Sequence, residues 1–132
     1  MSVFKSTTRI QRPAKEIYDF LADMNNHERL MPDDEISDWS STADAASFTV
    51  RNILKLSLKV EERVTDTLVR LTPAEKPPFA IELKWELSVD GEYTDVLFTI
   101  TADLNMMMRV VASGPLQKLA DDESASLFNL LH

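Results

Sequence analysis

The chain has 132 residues, 44% of them apolar, with 14 basic residues against 22 acidic ones and a net charge of −8. An acidic surface repels phosphate backbones and anionic headgroups, so nucleic acid and basic-patch membrane docking are excluded as expected partners. Cysteine is absent, which removes disulfides and thiolate metal sites. One domain, 1–132, is the simplest organisation for this length. The opening "MSVFKSTTRIQRP" has no long apolar run of the secretory kind. No stretch approaches the ~18 apolar residues of a membrane span. The expectation is a soluble, cytoplasmic protein without stable membrane insertion. Oligomeric state is left open.

Residues 3–11 are rich in β-branched and aromatic types and predict a strand. Pro13 then suits the first position of a helix. Ile17, Phe20, Leu21 and Met24, at i, i+3, i+4 and i+7, give that helix one apolar face. Asn25 and Asn26 end it, and Asn26 caps a second short helix, "HERLM", which Pro32 stops.

From about residue 35 to 103 the apolar period becomes two. "FAIELKWELSV" sets Phe79, Ile81, Leu83, Trp85, Leu87 and Val89 on one side and Ala80, Glu82, Lys84, Glu86 and Ser88 on the other. "DGEY" is a tight turn around Gly91. The partner strand follows with Val96, Phe98, Ile100, Ala102 and Leu104 on its dry face. Weaker alternation marks Ala46, Phe48 and Val50, then Leu56, Leu58 and Val60, then Val69 and Leu71. "PAEKPP" is a loop, since its prolines remove ladder donors. Successive strands with short turns imply an antiparallel sheet, and the helices are its only available cover.

The last segment, "LNMMMRVVASGPLQKLADDESASLFNLL", is helical but carries Pro115. On a wheel, Met106, Met107, Val110, Val111 and Gly114 share one side. Leu116, Leu119, Ala120, Leu127, Leu130 and Leu131 share another, on the order of 140° away. One straight helix cannot present both to one surface, so a kink or break between about Val111 and Leu116 is predicted. "ADDESAS" reads as the wet side of this helix. Met106, Met107 and Met108 are either adaptable packing at an irregular place or a soft gate over a pocket.

"RPAKEIYDFLADMNNHERLMP", the strands after it, and "DLNMMMRVVASGPLQKL" together resemble the START-like, Bet v 1-like superfamily, also called SRPBCC or polyketide cyclase/dehydrase-like. The likeness lies in element order and in Ile17–Leu21 with Asn26, Leu30–Pro32 and Asp103–Lys118. The sequence departs from that pattern at Asn105-Met106, where proline is frequent after the asparagine. The resemblance implies an α+β helix-grip fold. In it a curved antiparallel sheet of about six or seven strands wraps a long, kinked C-terminal helix, with two short helices after strand 1. It also implies a hydrophobic cavity between sheet and helix. The superfamily has no universal catalytic set, so no catalytic residue is carried over and fold alone assigns no activity.

The first expectation is a binding protein for a small hydrophobic molecule or lipid. The expected cavity walls are Phe20, Met24, Met31, Phe48, Leu58, Glu62, Leu83, Trp85, Phe98, Ile100, Met107 and Val111. Glu62 is the interior carboxylate candidate, because extending the Leu56, Leu58, Val60 alternation turns it inward; a bulge there would leave it in water. The alternatives are a cyclase or dehydratase using that carboxylate as general acid, and an interaction protein of the chaperone-cofactor kind with a collapsed cavity. His27 is read as an exposed helix residue, the sharper reading being a proton shuttle at the cavity mouth. One internal histidine makes no ordinary zinc site. Asp33, Asp34, Glu35 and Asp38 lack calcium-loop spacing and read as a solvated loop. No cofactor and no metal is expected. The side that Trp39 faces is left undecided.

Overall fold

The protein is described here by a computed structural model covering residues 1–52, 54–77 and 79–132. In chain order it forms β1 (Ser2–Ile10), α1 (Ala14–Ala22), a short 3-10 helix (Met24–Leu30), β2 (Ile36–Ser41), β3 (Ala45–Val50), β4 (Leu54–Val64), β5 (Leu68–Pro73), β6 (Ile81–Asp90), β7 (Tyr93–Ala102) and α2 (Met106–Leu131). The seven strands make one curled antiparallel sheet in the order β1-β7-β6-β5-β4-β3-β2. Strands β2 to β7 are a meander. The two short helices carry the chain from β1 to β2 at the opposite edge. Pro78, the last residue of the "PAEKPP" loop, lies outside the described residues.

Register lines up the dry side chains in rows across the strands. Phe4, Ile100, Leu83, Leu71 and Val60 form one row, and Ser6, Phe98, Trp85 and Val69 the next. Cross-strand neighbours on one face stand close enough to pack directly. Trp85 and Phe98 accordingly stack with centroids 3.9 Å apart and planes 12° from parallel. Trp39 stacks on Phe48 at 5.3 Å and donates from Nε1 to Ser41 Oγ, so it covers the sheet near the β2 edge. Gly91, at φ 62, makes the turn from β6 to β7. Val89, beside that turn, is exposed because the sheet there outruns its cover.

The helices depart from the sequence reading in detail. α1 ends at Ala22, and Asp23 starts the 3-10 helix by accepting from the Asn25 amide at 3.0 Å. Asn26 caps the other way: its Nδ2 donates to Phe20 O at 3.0 Å, closing the end of α1. Met24 therefore belongs to the 3-10 helix, although it is buried as its spacing implied.

α2 is helical without interruption from Met106 to Leu131, through Pro115. No break divides it. Asn105 caps it by accepting from the Met108 amide at 2.8 Å, which defines its start without the family's proline. One stripe, Ala112, Leu116, Leu119, Ala120, Glu123, Ser124 and Leu127, is buried along it. Met108 continues that stripe toward the N-terminus and packs on the core. The side with Met106, Met107 and Val110 stays at the surface, 82%, 81% and 84% exposed. A single stripe at helical spacing serves one sheet, so the second apolar side needs no partner there.

α2 runs along β1. Gln117 Nε2 donates to Lys5 O at 3.2 Å, and Arg12 Nε donates to Leu131 O at 3.0 Å. The two spans match, at roughly 21 Å of helix and about 23 Å of extended chain. On its other side Lys118 lies 3.7 Å from Glu35, which Arg51 also grips. The Arg51 hydrogen bond, helped by the charges of Arg51 and Lys118, holds the Glu35 carboxyl below its usual pKa.

Candidate functional site: the interior between sheet and helix

The concave face of the sheet, α1, the 3-10 helix and the buried stripe of α2 enclose one apolar cluster. Phe20, Met24, Phe48, Leu58, Leu83, Trp85, Phe98 and Ile100 are all buried in it, and Met31 packs against it half-buried. The alternation that marked these residues places them together.

Three expected wall residues stand elsewhere. Met107 and Val111 are exposed, on the surface side of α2. Glu62 is turned outward by a register shift between Val60 and Glu62. The extra residue, Glu61, reverses the alternation, as a β-bulge does. Glu62 then pairs with Arg70 on the convex face, Nε to Oε1 at 3.2 Å, and its side chain is 46% exposed. Arg63 takes the register position opposite Val69. Its guanidinium donates to Ala22 O, Ala43 O and Asp44, at 2.8 to 3.1 Å, and so ties the end of α1 to the β2–β3 turn.

His27 is buried, against the expectation of an exposed side chain. Its Nε2 lies 2.8 Å from Leu21 O. A carbonyl only accepts, so Nε2 carries the hydrogen. The ring meets Trp85 edge-on at 6.2 Å. Burial lowers its pKa below the usual value, against the raising effects of the Leu21 hydrogen bond and of Asp23. The neutral ring is a fixed spacer between the 3-10 helix and the sheet.

The interior carboxylate is Glu123. It lies midway along the buried stripe of α2 and is 1% exposed. Burial alone pushes its pKa up to about 8, so it is mostly protonated at neutral pH. One of its carboxyl oxygens has no hydrogen-bond partner among the described residues, and neither has Ser124 Oγ or Trp85 Nε1. The signal for Glu123 was present in the sequence: Leu119 and Leu127 lie four residues to either side of it, on one helical face. Its acidic neighbours Asp121 and Asp122 concealed it.

A hollow of about 490 Å³ opens where β4, the β5–β6 loop and the first turn of α2 meet. Buried side chains of the dry face, Leu54, Leu56, Leu58 and Ile81, line it together with Met108 and Pro77. This volume is in the range of small-molecule sites. Two larger hollows lie elsewhere. One of about 720 Å³ is on the β1–β7–β6–β5 strands, with Thr7, Arg9, Glu86 and Asp95 among its lining. One of about 770 Å³ lies between the start of α1 and the β4–β5 and β6–β7 turns. Charged and loop residues contribute much of both, whereas the smaller hollow meets the core leucines directly. Of the three methionines that open α2, only Met108 faces it. Among the described residues no group of three His, Asp or Glu side chains could hold a metal ion, and no helix is long and apolar enough to cross a membrane.

No protein-family model and no curated protein matches the sequence. Solved structures do match. A START superfamily protein from Mycobacterium smegmatis is similar over 97% of this chain and 98% of its own, at 13% identity and TM-score 0.67. The Aha1 dimer from Colwellia psychrerythraea is similar over 99% and 96%, at 18% identity and TM-score 0.71. The protein XoxI from Bacillus cereus is similar over 99% and 96%, at 11% identity and TM-score 0.77. Likeness across whole chains at such low identity defines architecture. This chain has the START-like, Bet v 1-like helix-grip fold.

Proposed function

We propose that the protein binds a small hydrophobic molecule or lipid in the space between the sheet and α2. The observation that carries this reading is the 490 Å³ hollow set against Leu54, Leu56, Leu58, Ile81 and Met108, side chains of the dry interior itself. Apolar walls favour an apolar guest through area removed from water and discriminate little among such guests. Fold neighbours of the START type support the same reading by analogy. Phe20, Met24, Phe48, Leu83, Trp85, Phe98 and Ile100 then form the deep walls, Met31 part of the rim, and Met108 the adaptable side chain at the mouth. The protein acts as one domain, in the cytoplasm. The cyclase reading loses its expected acid, because Glu62 is solvated and paired.

Displacement of a fluorescent apolar probe, Nile red, tests this. Met108→Asp places a charge in the mouth and is expected to weaken uptake at least tenfold, while Met107→Asp, on the outer side of the same turn, leaves uptake unchanged. Unchanged uptake by Met108→Asp, or no uptake by the parent protein, contradicts the proposal.

A further inference from the structure

Glu123 and Ser124 are adjacent residues on the one helical face that meets the core, and both are almost wholly buried. A buried polar group without a partner is costly, and native structures rarely retain several without a use. Here three belong to a single apolar interior: a Glu123 carboxyl oxygen and the Ser124 hydroxyl on the helix, and the Trp85 indole N–H on the sheet.

The track of α2 along β1 sets their level. Gln117 lies beside Lys5 and Leu131 beside Arg12, so Glu123 falls roughly level with Thr8, given the rise of helix and strand. The dry face at that level carries the rows Ser6–Phe98–Trp85 and Thr8–Val96–Leu87. The carboxyl and the indole therefore occupy the same storey of the interior, beyond the mouth at Met108.

Their chemistry points one way. The indole N–H only donates, and a hydroxyl and a neutral carboxyl can each donate. Burial raises the Glu123 pKa and no charged neighbour acts on it, so its neutral form prevails at pH 7. A cationic guest would have to ionise it inside a dry core. An uncharged oxygen acceptor on an apolar frame meets all three groups without charge separation.

We infer that Glu123, with Ser124 beside it, is the polar anchor of the interior and donates a hydrogen bond to the carbonyl oxygen of an otherwise apolar ketone or ester. This rests on the guest-binding reading above and names the chemical class of guest. The anchor orients the guest and leaves its affinity to the apolar walls.

A matched pair of probes tests it: 2-acetylnaphthalene, a ketone, and 2-ethylnaphthalene, its hydrocarbon counterpart. Calorimetric titration of the parent protein is expected to favour the ketone by about fivefold. The infrared stretch of the bound carbonyl should lie below its position in alkane solvent. Glu123→Leu should bring ketone affinity down to that of the hydrocarbon and return the stretch to the alkane position. Glu123→Gln, which keeps a donor, should retain most of the preference. Equal affinity of the parent for both probes, an unshifted carbonyl, or a preference that survives Glu123→Leu overturns the anchor while guest binding stands. Binding of neither probe to the parent refutes the guest-binding reading and the anchor with it.

Discussion

The two halves of α2 invert each other's chemistry. The first half turns Met106, Met107 and Val110 to solvent, and the second buries a carboxyl between Leu119 and Leu127. Amphipathic patterning accounts for neither, since apolar residues are expected inside and Glu outside. What both halves obey is the single stripe demanded by one sheet. Apolar residues off that stripe are left out, and polar residues on it are carried in. Departures of this kind are where function is sought, because folding alone does not favour them.

The contrast can be broken first by truncation. Leu127 is fully buried, so Leu127→Ala should cost about 2–5 kcal/mol, the usual range for a core leucine. Val110→Ala, on the outward side, should fall within about 0.5 kcal/mol. Chemical denaturation of both variants reads the difference, and equal costs would mean the helix is seated differently.

pH sharpens the contrast next. Glu123 has a folded pKa of about 8, above its ordinary value. Below the ordinary carboxyl range both the folded and unfolded states hold the proton. As pH rises toward 8 the unfolded state releases it while the folded state keeps it, so stability falls, by at most about 1.4 kcal/mol per pH unit. Above the folded pKa the loss is complete and levels off. His27 acts on the acid side: its folded pKa is lowered, so its contribution is present above the ordinary histidine value and is lost as pH falls through the folded pKa. Subtracting the pH profile of Glu123→Gln from that of the parent isolates the Glu123 slope. A flat difference would mean that the carboxyl is solvated.

Smaller effects separate the two arginine-linked sites near the bulge. Arg63→Ala strips hydrogen bonds from the Ala22 and Ala43 carbonyls and should cost about 1–2 kcal/mol. Glu62→Gln removes an exposed ion pair with Arg70 and should change stability by about 0.5 kcal/mol or less. Paired thermal melts measure both, and the opposite ranking would place Glu62 inside after all.

Legibility in the sequence followed periodicity. Strands β6 and β7 were readable almost to the residue, because strict alternation of Leu83, Trp85 and Leu87 against Lys84 and Glu86 has one physical interpretation. Element order and the helix-grip architecture were likewise readable, from local pattern and family resemblance. The bulge at Glu61 was not, because one inserted residue leaves no mark in composition yet reverses every later face. His27 was misread because its polar neighbours Asn25, Asn26 and Glu28 gave no sign that its ring turns under Trp85. Met107 and Val111 were taken for walls because Pro115 was assigned a break that the continuous helix does not make. Glu123 was legible on the wheel and hidden by composition.

The central claim is that the space between the sheet and α2 holds a guest. Native mass spectrometry of protein purified from its own cell tests it most directly. The account predicts a reproducible extra mass that organic extraction removes. Consistently bare protein, with no thermal shift across a panel of lipids, ketones and esters, would contradict it.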